Sequence, residues 1–311
     1  MIEYFKTVDG RITPVEKPEA GCWINLVAPT GDEVRQILCE IDVDDGFLRA
    51  ALDPEESSRV ETEEGQLLLI VDIPVLEQSD SSTRDVQMYT TLPMAIIVVE
   101  DYVITVCLED TSVTRQLANG KVRGVQIGLK TRFVFQLLLR VAGRFLNYLR
   151  RIQRNFTKIE QRLYESLNND ELMQMIALSK SLIYFSASLR GNEVTMEKVL
   201  RGRLLKLYED DRDLLEDALI EVRQAIDMAN VYSSVMSSTM EAFSSVVSNN
   251  LNSIMKVLTI ITVILTIPNM VFGFYGMNVV SLPLPFAWFP ALVSILACVA
   301  AWAFLKIRKL Y

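Results

Sequence analysis

The sequence predicts an α+β soluble domain followed by long helices and a two-span transmembrane helical hairpin. Three observations predict it. Runs of Ile, Val and Leu bounded by turn residues fill the first part of the chain, and helical periodicity with few glycines or prolines takes over from about Lys130. Between Val257 and Leu305 there is no Asp, Glu, Lys, Arg or His, a stretch long enough for two bilayer crossings. The divisions are then residues 1–125, an α/β domain; 126–208, long antiparallel helices; and 209–274, a stalk helix that continues into the first span. Residues 275–286 form a loop beyond the membrane, 287–305 the second span and 306–311 a basic tail.

In the first division, Cys22-Trp23-Ile24-Asn25-Leu26-Val27 reads as a strand. Thr30-Gly31-Asp32-Glu33 has the Ser/Thr-x-x-Glu spacing of a capping box, ahead of a helix over 33–41. Gln66 to Val75, Met94 to Val99 and Tyr102 to Leu108 read as strands, rich in branched apolar residues, with Glu100-Asp101 as the tight turn between the last two. Gly65 and Ser79-Asp80-Ser81-Ser82 mark loops.

The chemistry this chain excludes is as informative. It has no histidine, so Ser-His and Cys-His catalysis and His-ligated metal sites are ruled out. No glycine-rich phosphate cradle, nucleophile elbow or paired carboxylate arrangement stands out, and an enzyme is not expected. Cys22, Cys39, Cys107 and Cys298 show no paired spacing and read as free structural thiols in a reducing compartment.

From Lys130, Phe133, Leu137, Val141, Phe145 and Tyr148 recur every three or four residues. Lys130, Arg132, Arg140, Arg144, Arg150, Arg151, Arg154, Lys158 and Arg162 fall in the same segment, making one long basic amphipathic helix. A bend near Asn168-Asn169-Asp170 precedes a second helix, Glu171 to about Leu200. The acidic run Glu209-Asp210-Asp211-Arg212-Asp213, with Glu216, Asp217 and Glu221, has two readings: a solvated face paired with the basic helix, or a sensor of divalent cations. No helix breaker separates Asp213 from Ile267, so a third helix runs on into the membrane.

Sidedness follows from Lys256 before the first span and Lys306, Arg308 and Lys309 after the second, against an uncharged connecting loop. The positive-inside rule places both termini in the cytoplasm of a multi-pass cell-membrane protein. The opening residues have no apolar signal region, so the first 250 or so residues are expected to stay in the cytosol. Net charge is −8, and about −12 over residues 1–255 once those four positive charges are set aside. Such an acidic body favours divalent cations as partners and disfavours nucleic acid.

Two features carry function. The first is Tyr275-Gly276-Met277-Asn278 at the end of the first span. Asn offers an acceptor and a donor without charge, and Gly276 would allow a turn at positive φ that brings its carbonyl forward. The turn is either a site for a hydrated ion or a helix cap at the membrane exit.

The second is a row on the stalk helix: Ser234, Ser238, Glu241, Ser245, Ser248, Asn252, Met255, Thr259, Thr262, Thr266, Asn269 and Gly273, spaced by three or four. Facing lipid, its asparagines and threonines would be costly, so it should meet protein or water. It either lines a pore in a cyclic oligomer or glues a tight helix pair through hydrogen bonds. Met255 and Leu258 are bulky enough to form an apolar constriction near the cytosolic mouth. Pro268 lacks the N–H that would bond the Ile264 carbonyl, freeing an oxygen for water, a neighbour or the pore.

These features together resemble the CorA family of divalent metal transporters over essentially the full length. Tyr275 to Asn278 matches its Tyr-Gly-Met-Asn signature, Asn252 to Ile261 is similar to the family's membrane-crossing start, and Asn252 falls at its cytosolic-side pore Asn. The resemblance implies a funnel-shaped homopentamer with the first span lining the pore. Gly276, Met277 and Asn278 would then form an outer ring that receives hydrated Mg²⁺, the transported and regulatory ion, with Co²⁺ or Ni²⁺ as further cargo and no resident cofactor. It also implies an intracellular Mg²⁺ sensor in which Asp217 fits the stalk position, with Asp53, near Glu55 and Glu56, on the α/β domain. Well-known members carry acidic residues in the loop after the signature, whereas Val279 to Phe286 has none. The alternatives are a ZntB-like zinc transporter, which shares architecture and tripeptide, and a membrane-anchored sensor without transport.

Overall fold

The computed structural model describes residues 1–77, 88–120, 122, 124–166, 169–202, 208–277, 286 and 288–307. It divides into two units, Met1–Ser237 and Ser238–Tyr311.

The first unit is built on a seven-stranded sheet: β1 (Ile2–Val8), β2 (Arg11–Val15), β3 (Trp23–Val27), β4 (Arg59–Glu63), β5 (Gln66–Leu76), β6 (Tyr89–Val98) and β7 (Val103–Cys107), in the order β2-β1-β3-β7-β6-β5-β4. Every neighbouring pair is antiparallel except β3 with β7. Asp9 and Gly10 both take positive φ between β1 and β2, as do Glu64 and Gly65 between β4 and β5. Two consecutive left-handed residues are what a two-residue hairpin turn requires to match the twist of its strands.

One sheet face carries α1 (Gly31–Glu40) and α2 (Asp45–Ala51), and Ile37, Phe47 and Leu48 pack there with Ile24, Leu26, Leu68, Ile70 and Ile97. Thr30 caps α1 as the sequence predicts, its hydroxyl accepting the Glu33 N–H at 3.3 Å while the Glu33 carboxylate accepts the Thr30 N–H at 2.8 Å. The helix starts at Gly31, two residues before the expected position. After α3 (Ser112–Ala118), two long helices, α4 (Lys130–Ser166) and α5 (Asn169–Gly202), pack on one another, and both pack on β5. With helices over both faces, β3 and β7 are buried at every position and β5 over most of its length. Hence they read as continuous apolar runs rather than alternating ones.

β6 begins at Tyr89, five residues before the expected start at Met94, and runs through Pro93. Its pairing with β7 starts only at Met94, and Pro93 lies opposite Asp72 of β5. β4 covers β5 only as far as Ile70. Beyond that point Asn192 of α5, fully buried, takes the place of a strand: its Oδ1 accepts the Asp72 N–H at 2.8 Å and its Nδ2 donates to the Asp72 carbonyl at 2.9 Å. Asp72 thus directs its backbone away from β6, so the ladder asks for no N–H from Pro93.

The apolar row Phe133, Leu137, Val141, Phe145 and Tyr148 of α4 is buried, as its spacing predicts. The third helix, α6 (Glu209–Tyr275), is continuous through Pro268, and α7 (Phe289–Ile307) follows. In the second unit, Cys298 of α7 donates its thiol to the Ile264 carbonyl of α6 at 3.6 Å, and the Tyr275 and Phe289 rings lie 6.2 Å apart.

Candidate functional site

The three-four row of α6 is uncovered at every position. In the second unit Ser238, Glu241, Ser245, Ser248, Asn252, Met255, Thr259, Thr262, Thr266, Asn269 and Gly273 are all exposed in the single chain, and so is Leu258 beside Met255. Over the membrane-crossing part, α6 is half-buried at Ile260, Ile264, Ile267, Pro268, Val271 and Tyr275. At about 100° per residue that face centres on Ile264, and the polar row lies about 180° from it. One side of α6 therefore packs on α7, and the side carrying the threonines and asparagines looks directly away.

Thr259, Thr262 and Thr266 donate their hydroxyls to the carbonyls of Met255, Leu258 and Thr262 at 2.7, 2.8 and 2.7 Å. Each proton is spent within the helix, so each oxygen presents its remaining lone-pair capacity outward as an acceptor. An unbroken series of neutral acceptors suits the outward-pointing protons of a cation's water shell.

The row extends further than the sequence reading took it. In the first unit the same spacing runs back through Val231, Asp227, Gln224, Ile220, Asp217, Asp213 and Asp210, again exposed throughout. Leu215, Ala218, Leu219, Val222, Ala225, Ile226 and Ala229 are buried on the opposite face. From Asp210 to Gly273 the row holds five carboxylates and no Lys or Arg. The signal that finds this extension is the spacing itself, continued toward the N-terminus.

Glu221 lies beside this acidic stretch. Burial holds its carboxyl above the ordinary range, the Asp217 charge one turn earlier adds to the effect, and Arg150 opposes it. Asp217 and Asp53 are both exposed, and the Asp53 carboxylate accepts the Glu55 N–H at 2.9 Å. Among the described residues no group of three or more Cys, Asp or Glu side chains gathers within one chain. Between the acidic run and the basic helix, Arg132 and Asp210 form a loose ion pair at 3.9 Å, and Arg150 acts on Glu221. Otherwise Arg212 pairs with Glu216 along α6, and Arg223 reaches Glu193 and Glu197 of α5.

One expectation about the membrane segment is corrected. Gly276 is not at positive φ; its N–H continues the helix to the Phe272 carbonyl at 2.8 Å. A Cβ there would come within 3.1 Å of that same carbonyl oxygen, a close approach that glycine avoids. Of the partners expected for the Ile264 oxygen freed by Pro268, the structure supplies a neighbour: on the side opposite the row it accepts the Cys298 thiol of α7 at 3.6 Å. Of the signature, Tyr275 is half-buried and Gly276 and Met277 are exposed, while Asn278 lies outside the described residues. Of the basic tail, Lys306 sits over the Trp302 ring at 4.9 Å, and Arg308 and Lys309 also lie outside them.

By length and composition three helices are apolar enough to cross a membrane: α5, α6 and α7. α5 packs against β5 and β6 in the first unit. The apolar windows of α6 and α7 are almost wholly uncovered, which makes them the candidate spans.

An α+β domain followed by long helices, two apolar spans and a neutral polar row on the first of them define a class, the integral membrane proteins with a large soluble domain. Within that class the chain belongs to the CorA-like Mg²⁺ transporter protein family, whose pattern matches residues 18–309. That is a family of ion transporters and not of enzymes. The chain is 26% identical over 271 residues to the cobalt/magnesium transport protein CorA of Methanocaldococcus jannaschii, covering 84% of this chain and 81% of the relative. The complete structure of the CorA magnesium transporter from that organism superposes with a TM-score of 0.80 at 22% identity, covering 99% of this chain and 97% of the other. The cytoplasmic domain of ZntB from Vibrio parahaemolyticus superposes with a TM-score of 0.60 at 12% identity over 79% of this chain and 98% of that one, a likeness of fold.

Proposed function

We propose that the chain forms a funnel-shaped cyclic pentamer that conducts hydrated Mg²⁺, and Co²⁺ and Ni²⁺ with it, across the cell membrane, with α6 lining the path and both termini in the cytoplasm. The observation that carries this reading is the uncovered row of neutral oxygens facing directly away from α7. A single helix cannot enclose water; repeated around an axis, the row faces inward and α7 forms an outer ring.

Mg²⁺ gives up its water reluctantly, so a path for it has to hold the shell rather than replace it. Gly276, Met277 and Asn278 receive the hydrated ion at the outer end, and the threonine oxygens and Asn252 accept hydrogen bonds from its water as it descends. An inside-negative potential contributes about 4.6 kcal/mol per 100 mV for a divalent ion. Met255 and Leu258 close the cytosolic mouth by excluding water. Internal Mg²⁺ bridges acidic groups between copies, Asp217 on one and Asp53 on the next. Its loss frees the like charges of Asp210, Asp213, Asp217 and Asp227 to repel, and the ring opens.

The row also bears on which ion. Its ligand atoms are oxygens apart from the Met255 thioether, a set that suits hard cations, whereas Zn²⁺ favours nitrogen and thiolate ligands.

The test is uptake by reconstituted vesicles loaded with a fluorescent Mg²⁺ reporter, in which Asn278→Ala should abolish the signal. Unchanged uptake in that variant removes the signature from the mechanism. Running Mg²⁺ and Zn²⁺ in parallel, with and without a proton gradient, decides the cargo, because proton-coupled Zn²⁺ movement would overturn the Mg²⁺ reading. No flux of any divalent ion from the intact chain would leave a membrane-anchored sensor.

A further inference from the structure

Away from the membrane row, one concavity of the first unit gathers positive charge in a domain that is otherwise acidic. It holds about 290 Å³ between α3, α4 and α6, and Ser112, Gln116, Arg140, Arg144, Asn147 and Glu221 line it. Arg140, Arg144 and Asn147 share one face of α4 through their spacing of four and three. Glu221 closes the α6 side, where its Oε2 lies 3.5 Å from the place a Cβ on Gly143 would take.

Neither guanidinium has a carboxylate of its own. Among the described residues Arg140 makes no hydrogen bond or ion pair, and its Nε is shut off from solvent without a partner. Burial alone acts on the group and lowers its pKa, and an arginine stays charged all the same. Arg144 has a neutral partner: it donates to the Tyr148 hydroxyl and lies 4.2 Å from the centre of that ring. Glu221 does not neutralise them, since the charges acting on it are those of Arg150 and Asp217, and burial holds back its own. A half-buried charge costs stability unless an opposite charge offsets it, so an arginine with a purely structural role at this depth should hold a carboxylate.

We propose that this concavity binds a small phosphate-bearing molecule, with the phosphate held between Arg140 and Arg144. The site lies within one chain, so the inference does not rest on the ring or on transport. A guanidinium presents a planar fork of N–H donors, and one fork serves the two oxygens of a carboxylate. The three terminal oxygens of a phosphate monoester employ two. The space is near the lower end for small-molecule sites, about 300 Å³, which leaves room for a short organic portion. Ser112, Gln116 and Asn147 offer it uncharged donors and acceptors.

Isothermal titration calorimetry on the full-length chain, with glycerol 3-phosphate and with inorganic phosphate at fixed ionic strength, tests the site. The parent should bind at one site per chain. Arg140→Gln and Arg144→Gln should each weaken binding by about tenfold or more. Arg35→Gln, which removes an exposed charge from α1, should leave it unchanged. Tighter binding of the ester identifies an organic phosphate as the ligand, equal binding identifies free phosphate, and either supports the site. Arg140→Met separates a ligand-binding arginine from a structural one. It should melt above the parent in phosphate-free buffer and lose the phosphate-dependent rise in melting temperature that the parent shows. Binding of neither probe, equal weakening by Arg35→Gln, or an Arg140→Met chain that melts below the parent in that buffer would overturn the site. So would subunits loosened by Arg140→Met in native mass spectrometry, because the guanidinium would then serve a carboxylate of a neighbouring copy.

Discussion

Replacing Thr262 by Val keeps the shape of the side chain and removes one oxygen from each copy, which makes it a clean probe of the row. The hydroxyl now donates to the Leu258 carbonyl at 2.8 Å, on the exposed side of α6. Losing that donation costs the helix little, because the carbonyl also accepts an ordinary helical N–H. What the pore loses is a ring of acceptors. A hydrated ion touches two or three of them at once, and each hydrogen bond is worth about 1 kcal/mol net, so passage at this level should cost about 2–3 kcal/mol more. That predicts Mg²⁺ flux lower by about 30- to 150-fold. Thr262→Ser, which retains the oxygen, should recover most of it. The measurement is initial Mg²⁺ uptake by vesicles at fixed potential, with native mass spectrometry to verify that the ring is intact. Flux within a factor of two of the parent, from an intact Thr262→Val ring, would show that the row does not line the path.

Asp217→Asn should weaken closure by internal Mg²⁺, raising the half-closing concentration by about tenfold or more if a charge-assisted contact of about 1.5 kcal/mol is lost. Titrating the ion on the cytosolic side during a flux measurement checks this, and an unchanged midpoint would remove Asp217 from the sensor. Asp72 offers a pH test of the soluble domain. Burial pushes its carboxyl up, with hydrogen bonds from Ser188 and Ser58 opposing, so the folded state binds its proton more readily than the unfolded state does. Stability from this group is therefore lost as pH rises from the ordinary Asp value through the raised one, and regained on acidification. Asp72→Asn should raise the melting temperature near neutral pH, by an amount that shrinks toward about pH 4. A difference between the two chains that does not change with pH would contradict the assignment.

The elements legible in the sequence were those whose own residues dictate them. Thr30 and Glu33 encode a cap between them, and the long helices carry an apolar stripe over many turns. The elements that were missed depend on their neighbours. β4, Arg-Val-Glu-Thr-Glu, is an edge strand, largely polar, and its position is set by pairing with β5 and not by its own pattern. β6 was cut short at Pro93, a residue that belongs in a strand only because Asn192 has drawn the Asp72 backbone the other way. The β1–β2 hairpin did leave a signal, the Asp9-Gly10 pair, which favours a two-residue turn.

The candidate site divides in the same way. The polar row was readable because oxygen-bearing side chains at regular spacing in an apolar segment contradict their surroundings. That its apolar face would meet the second span followed from the same contrast, and Ile260, Ile264, Ile267 and Val271 are the half-buried side. The Cys298 thiol on the Ile264 carbonyl joins residues 34 positions apart, and no local pattern announces it.

The row also makes the length of α6 a quantised property. It keeps step for about nine heptads, and a straight helix drifts by about 20° in each, so keeping the row on one face toward the axis of the proposed ring calls for a left-handed supercoil. Adding or deleting one residue would turn the part of the row beyond it by about 100° around the helix. Adding seven shifts the phase by only about 20°. Homologous stalks of different length are therefore expected to differ by sevens, with the phase of the helix constrained more tightly than the identity of most residues on it.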